Sequence, residues 1–442
     1  MNPQNHSILV RGPVLHFLAD PGEGDDPACW QYFEDGALLI ENGLIRRCGT
    51  WDAVLRDLPN TTRYTARLFD YHGKLIMPGL IDTHVHYPQM RVMGAFGRQL
   101  LDWLNEHTFP AEESFADPRV ADATASFFLD RLLANGTTTA SVYGTVHAHS
   151  VDAFFRAAQA RKLRMLCGKV MMDRNCPTGL RDTAATSLED CSALIERWHG
   201  KDRLRYSVTP RFAITSTPEQ LQVAGELFRS RPDMHLQTHL SENLDEIRFV
   251  QQLFPDSKGY LDVYDRFGML GRGAIYGHGI HMSEAERARM AETESAIAFC
   301  PTSNRFLGSG LFDYPASTAA GVKVGLASDV GGGTSLSLLR TLGAAYEVGQ
   351  SLGQVLSPWR AWYLATLGGA KALALEDRIG NFAEGKEADF VVLSLQSPAE
   401  LQFRAEYTTR IDERLFALMA LGDDRSVHAT HVLGECVHKA LS

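Results

Sequence analysis

Eight short apolar runs alternate with helical patterns through the middle of this chain, and this alternation constrains its fold more than any other feature. The runs are rich in β-branched and aliphatic residues. Such alternation is typical of repeated βα units that build a parallel sheet. The predicted strands cover residues 75–86, 137–143, 163–171, 204–210, 234–239, 274–278, 296–300 and 322–327.

Helical patterns fill most of the gaps, and several begin with a recognisable start signal, such as Ser283 before Glu284. Eight βα units in sequence fit a closed barrel better than an open sheet, because an open sheet would leave its first and last strands as long exposed edges. The sequence therefore predicts an α/β fold with a (β/α)8 TIM-type barrel over residues 74–382. The predicted helices cover residues 118–134, 151–161, 188–199, 218–228, 244–254, 284–294, 336–352 and 358–375.

Both ends of the chain differ from the middle, because they have strand patterns separated by turn residues. Apolar segments at 37–40 and 44–48 flank Asn42-Gly43, which is a hairpin signal, and an acidic loop is predicted to run to Asp35. Gly434 separates two similar segments near the C-terminus. We expect residues 1–73 and 383–442 to form one small β-sandwich domain beside the barrel.

Composition excludes several classes of function. The formal net charge is -10, and no cluster of Lys and Arg is present, which argues against a nucleic-acid or anionic-membrane partner. Seven cysteines are scattered without close pairs, so no disulfide framework or cysteine metal site is predicted. The acidic N-terminal region lacks the apolar segment of a signal peptide, and no stretch approaches the length of a membrane span, so we expect a cytoplasmic protein.

Five potential metal ligands fall at the ends of predicted strands. In a parallel barrel, functional residues gather where strands end and helices have not yet begun. A strand has a period of two, which places both histidines of the His-x-His pair on one side. One such residue alone is more often structural, but five converging on one edge predict a metal site. They are His84, His86, His239, His278 and Asp329.

Glu242 adds a carboxylate three residues after His239. If the strand gives way to a loop there, His239 faces a metal while Glu242 stands beside the water rather than on the ion. Hydrolysis at a single metal needs this division between ligands and a proton-carrying carboxylate. The alternative, that Glu242 only stabilises the start of the next helix, is compatible with this role.

These residues and their surroundings resemble the amidohydrolase superfamily, in particular its mononuclear aminohydrolase branch. The resemblance rests on Pro-Gly-Leu-Ile-Asp-Thr-His (78–84) and Phe-Cys-Pro-Thr-Ser-Asn (299–304). Finer motifs are similar to those of guanine-deaminating members and cover nearly the whole chain. They stand at residues 84–89, 210–212, 239–242, 307–312, 367–373 and 421–425.

The resemblance implies a division of roles. His84, His86, His239 and Asp329 would hold one Zn²⁺ per chain, with Glu242 as proton shuttle and His278 and Asp329 as further catalytic groups. The purine-binding residues would be Gln89, Arg211 and Phe212 together with Glu242 and Asp329. The implied reaction is hydrolytic deamination of guanine to xanthine and ammonia, by a homodimer.

Several alternatives remain open at this point. The substrate could be cytosine, a triazine, 8-oxoguanine or an adenosyl compound. The chain could also be a non-catalytic scaffold that kept the barrel and lost catalysis. A two-metal amidase would carry a modified lysine on strand four, which has none; Lys169 lies on strand three. Asp102, Trp103 and Asn105 lie in a segment that could cover the site, and the orientation of His281 is undecided.

Overall fold

The computed structural model of the chain describes residues 7–56, 58, 65–96 and 99–440. A sheet of nine strands forms the middle of the chain, and eight of them run in parallel from the first to the last barrel unit. The predicted barrel is therefore confirmed. Its strands are β6 (Leu80–His86), β7 (Thr137–Tyr143), β8 (Arg164–Gly168), β9 (Val170–Met171), β10 (Arg205–Pro210), β11 (His235–Leu240), β12 (Ala274–His278), β13 (Ala296–Phe299) and β14 (Lys323–Leu326), with β9 pairing β10 beside β8.

Backbone and side-chain hydrogen bonds join the first barrel strand to the chain that follows the last one. The amide of Asp329 donates to the carbonyl of His84 at 2.9 Å. Asp82, which is fully buried, accepts from the amide of Ser328 at 3.0 Å and also from the Ser328 hydroxyl. Burial raises the pKa of Asp82 to about 6. This contact closes the barrel directly below the histidines of β6.

The predicted strand at residues 75–86 is two strands that belong to different sheets. β5 (Leu75–Pro78) pairs with the C-terminal part of the chain, and β6 begins the barrel. Gly79 lies between them, where a Cβ atom would approach the Thr138 hydroxyl to 2.0 Å. Only glycine allows the two sheets to come this close.

The two ends of the chain form one mixed, eight-stranded sheet with a shared hydrophobic core. The hairpin at Asn42-Gly43 is present, and both residues have the positive φ of its turn. The acidic loop was predicted too long, because the strand β2 (Trp30–Glu41) already begins at Trp30, where it pairs with β1 (Ser7–Phe17). The strands outside the barrel are β1 (Ser7–Phe17), β2 (Trp30–Glu41), β3 (Leu44–Thr50), β4 (Arg67–Asp70), β5, β15 (Phe390–Leu393), β16 (Val427–Val432) and β17 (Glu435–Lys439).

The helices predicted between the barrel strands are present, with limits that differ by up to four residues at most ends, and several further short helices were not predicted. The predicted helix at 358–375 contains a π-helical turn at Leu364–Gly368, and the C-terminal part, expected to be β-rich, also contains two helices. None of the described helices combines the length and apolarity needed to cross a membrane. The α-helices are Trp51–Arg56, Leu100–Trp103, Phe109–Glu113, Pro118–Ala134, Ala148–Ala160, Ala184–Trp198, Pro218–Arg229, Leu244–Leu253, Tyr260–Arg266, Glu284–Glu292, Pro301–Phe306, Tyr314–Ala319, Leu338–Ser351, Pro358–Tyr363, Gly369–Ala372, Ala399–Ala405 and Ile411–Leu421.

Candidate active site

Four side chains from three places in the barrel bring their ligand atoms together at the carboxyl ends of the strands. His84 and His86 come from β6, and His239 comes from β11, one residue before the strand ends. Asp329 was predicted to end the last strand, but it lies three residues after β14, in the segment that closes the barrel. His278, the last residue of β12, lies beside this group.

The spacing of these atoms fits a tetrahedral metal ion. The Nε2 atoms of His84 and His86 are 3.1 Å apart, and that of His239 is 3.3 Å from that of His86. Oδ1 of Asp329 lies 3.3 Å from Nε2 of both His84 and His86. Ligands held at 2.0–2.1 Å in tetrahedral geometry stand about 3.3 Å from one another. The donor set and its spacing therefore fit zinc.

Burial sets the protonation of the cluster. It lowers the pKa of His86 to about 3 and that of His239 well below its ordinary value. Burial opposes ionisation of Asp329, but hydrogen bonds with His84 and His86 outweigh it and hold its pKa well below the usual range. Neutral imidazoles around an ionised carboxylate are the forms that bind a metal cation.

Neighbouring groups fix the orientation of two histidine rings. Nδ1 of His239 donates to the backbone carbonyl of Arg211 at 2.6 Å, which directs Nε2 at the cluster. Nδ1 of His278 similarly donates to Oδ1 of Asn304 at 2.8 Å. The ring of His84 lies against Gly277, where a Cβ atom would come within 2.7 Å of its Cε1. A glycine on β12 therefore makes room for the ring of His84 on β6.

The backbone at this edge of the barrel is strained. Ser241, His278 and Asp329 have φ values of 48°, 72° and 48°, in the left-handed region that side chains other than glycine rarely adopt. Such conformations cluster at functional sites, where surrounding structure holds them in place. Two of these residues, His278 and Asp329, place side-chain atoms at the cluster.

Glu242 lies beside the cluster, as the sequence predicted. Its Oε2 is 3.4 Å from Nε2 of His278, and its Oε1 accepts a hydrogen bond from the Ser309 hydroxyl at 2.9 Å. Burial, followed by the negative charge of Asp329, raises the pKa of Glu242 to about 8. A carboxyl group that titrates near neutrality is suited to both accept and donate a proton.

A pocket of about 410 Å³ opens above these groups. Gln89, Arg211 and Phe212 line it, together with the predicted catalytic residues Glu242, His278 and Asp329. The amide of Gln89 accepts from the Gly331 amide at 3.2 Å through Oε1. The pocket thus combines a polar wall, an aromatic wall and a floor of candidate metal ligands, which is the composition of a small-molecule site.

Residues 100–113, which we call the covering segment, close one side of the pocket. Trp103 lines the pocket, whereas Asp102 and Asn105 point to solvent. His281 does not line the pocket. Its Nε2 is hydrogen-bonded to the backbone carbonyl of Ser309, whose hydroxyl contacts Glu242. Lys169 lies away from the cluster in an ion pair with Asp182 at 2.5 Å, so it is structural, as expected.

Sequence reasoning missed four residues that support the site. Asp82, Asn304 and Ser309 lie inside motifs that were recognised, but their roles depend on contacts between strands and loops far apart in sequence. Glu112 has no local signal at all. It is buried in the covering segment, and its carboxylate contacts both Gln89 and Arg211. Only the folded structure shows that these three side chains meet.

Comparisons with known proteins agree with the geometry of the site. The model of the amidohydrolase family matches residues 75–437. Guanine deaminase from Escherichia coli is 50% identical over 409 residues, which is 92% of either chain. The solved structure of the E. coli enzyme superimposes with a TM-score of 0.95 at 46% identity, covering 99% of this chain and 100% of that one.

A second solved structure is guanine deaminase from C. acetobutylicum with guanine bound in its active site. It superimposes with a TM-score of 0.88 at 29% identity. The superposition covers 98% of this chain and all of that one.

Proposed function

The chain belongs to the guanine deaminase branch of the amidohydrolase family, and from this premise we propose how its residues carry out the reaction. The reaction adds water to C2 of guanine and releases ammonia, leaving xanthine. The observation that carries the assignment of roles is the position of Glu242, which lies beside the ligand cluster without belonging to it.

We assign one zinc ion to the cluster, held by His84, His86, His239 and Asp329. Their spacing and their nitrogen and oxygen atoms support this assignment. A zinc ion held by these residues would make water available as a nucleophile near neutral pH. The remaining steps depend on groups of the protein itself.

The base binds between the polar wall and Phe212. Arg211 and Gln89 present hydrogen-bond donors and an acceptor to the carbonyl and ring nitrogens, and the buried Phe212 offers its ring face to the purine. Because these polar groups are buried, a base that leaves them unpaired loses binding free energy. These contacts select a purine ring at the binding step, before the reaction begins.

Glu242 moves the protons. In its protonated form it gives a proton to N3, the ring nitrogen next to C2, while the attacking water adds to C2. Asp329 and Nε2 of His278, which lie 3.9 Å apart, accept and orient the proton of that water. A proton returned through Glu242 to the amino group then allows ammonia to leave. Water supplies the oxygen of the new carbonyl, so atoms balance.

The experiment measures xanthine and ammonia formed from guanine by purified protein, with zinc content determined on the same sample. Turnover with about one zinc per chain is expected. Protein that is loaded with zinc yet inert towards guanine would refute the substrate, and cytosine and a triazine in the same assay would identify another base. Protein that binds no zinc would refute the ligand set.

We also propose that the enzyme is a homodimer in solution, as its resemblance to the family implies. Light scattering coupled to size exclusion should give twice the chain mass of 48.9 kDa. A monomer mass at the assay concentration would contradict it.

A further inference from the structure

Glu112 lies outside the cluster of proposed metal ligands and takes no part in the proposed mechanism. Among the described residues it is nevertheless one of the most deeply buried charged side chains. Its side chain is 1% exposed. It belongs to the covering segment, of which Leu100, Trp103 and Leu104 line the pocket. A charge buried to this degree is expected to be paired, and its partners indicate what it does.

The partners of Glu112 are the two polar side chains that face the base. Oε1 accepts from Nε2 of Gln89 at 3.0 Å, and both carboxylate oxygens accept from Nη1 of Arg211, at 2.8 Å and 2.7 Å. The guanidinium also lies over the ring of Phe109, 5.3 Å from its centroid. Glu112 lies on the short helix Phe109–Glu113, so this helix fixes the side chains of both Gln89 and Arg211.

These contacts determine which hydrogen-bonding atoms remain for a ligand. The amide of Gln89 cannot rotate, because its amino group donates to Glu112 and its oxygen accepts from Gly331. Within the described chain, Nε and Nη2 of Arg211 have no acceptor, so their donors are left for the base. The carboxylate also compensates the guanidinium charge, which makes the wall suitable for a neutral base.

Arg211 links this wall to the metal cluster as well. Its backbone carbonyl accepts from Nδ1 of His239, while its side chain is held by Glu112. A displacement of Arg211 would therefore move a base contact and a ligand contact together. The covering segment, the base contacts and His239 form one connected unit.

We propose that Glu112 is a positioning residue that determines substrate specificity, by fixing Gln89 and Arg211 for a neutral purine with a carbonyl group. The inference rests on the proposed function, since it assumes that these side chains contact the base. The alternative is that Glu112 only stabilises the fold, as a buried ion pair elsewhere would. A structural role and a positioning role predict different kinetics.

The test compares Glu112→Gln with the wild type on guanine and on 2-aminopurine, which lacks the carbonyl oxygen. The amide keeps the size of the side chain but places a donor against donors of Gln89 or Arg211. We expect KM for guanine to rise about tenfold, kcat to fall less than about threefold and zinc content to stay constant. The ratio of kcat/KM for guanine to that for 2-aminopurine should fall about tenfold.

Glu387→Gln is the matched control. Glu387 accepts hydrogen bonds from Arg164 and Arg203 at the amino ends of the strands, away from the pocket. This variant should lower Tm and leave KM and the substrate ratio within about twofold of the wild type. Glu112→Asp keeps the charge, but its side chain is too short to reach Gln89 and Arg211 together. This variant therefore replaces Glu112→Gln in the test if Glu112→Gln does not fold.

Unchanged KM and substrate ratio in folded Glu112 variants would overturn the inference, as would equal changes in the Glu387 control. Wild-type protein that does not deaminate guanine at all would instead refute the proposed function. Because the second result concerns the wild type, the two failures cannot be confused.

Discussion

Replacing Glu242 with glutamine should separate metal binding from catalysis. Glutamine has nearly the same volume and can still accept the hydrogen bond from Ser309, so the cluster of three histidines and Asp329 keeps its geometry. What is lost is a carboxyl group with a pKa of about 8 that can give a proton to the base. Loss of general acid–base catalysis costs a factor of about 10² to 10⁴, equivalent to about 3–5 kcal/mol in the barrier.

The assay records xanthine formation by absorbance, with zinc measured by mass spectrometry on the same preparation. We expect kcat to fall by at least about a hundredfold while zinc remains at the wild-type level. Turnover within tenfold of the wild type would refute the role of Glu242. A variant that has lost zinc would show instead that Glu242 is a ligand.

Glu242→Gln should also change the pH dependence of the free energy of unfolding in the metal-free protein. Glu242 titrates near 4.5 when unfolded and about 8 when folded, so between these values the folded state binds the additional proton. The free energy of unfolding should then decrease as pH rises through this window, by about 1 kcal/mol per pH unit. Urea unfolding of chelator-treated protein at pH 5, 6, 7 and 8 measures this slope, which should be smaller in Glu242→Gln. Equal slopes would contradict burial of the neutral acid.

Three further predictions follow from the fold and the cluster. His86→Ala removes a ligand, so zinc after dialysis should fall below about a tenth of the wild-type content; full retention would contradict the ligand set. Asp82→Ala leaves the Ser328 and His84 donors without their acceptor and should lower the free energy of unfolding by roughly 3 kcal/mol, measured in urea. Burial lowers the pKa of His431 from 6.5 to about 4, so the unfolded state binds the additional proton between these values and stability should fall as pH falls through them; His431→Gln should abolish that part of the acid dependence of Tm.

The sequence allowed prediction of features that depend on neighbours along the chain. The barrel strands were recognised because each is a compact apolar run, and His84 and His86 share a face because a strand has a period of two. Thr137–Tyr143 and Ala274–His278 have the predicted limits. The candidate histidine ligands follow from these positions, since parallel strands end at the same edge of a barrel.

Features that depend on distant contacts could not be predicted. Residues 75–86 form one apolar run, and only the contact between Gly79 and Thr138 explains why it divides between two sheets. β2 extends back to Trp30 through polar residues because β1 provides a partner for its backbone. Glu112 meets Gln89 and Arg211 across 23 and 99 residues of sequence, and no periodicity reveals such a meeting.

Closure of the barrel by Asp82 and Ser328 has a consequence for biosynthesis. Two of the proposed ligands come from the first barrel strand and one, Asp329, follows the last, so the proposed ligand set spans almost the whole barrel region. A nascent chain that still lacks its eighth unit has only three histidines and no carboxylate to complete the coordination. If these four residues hold the metal, we expect stable metal loading only after the ribosome has released residue 329 and the first and last strands have met. On this proposal, acquisition of the metal reports that synthesis and closure of the barrel are complete.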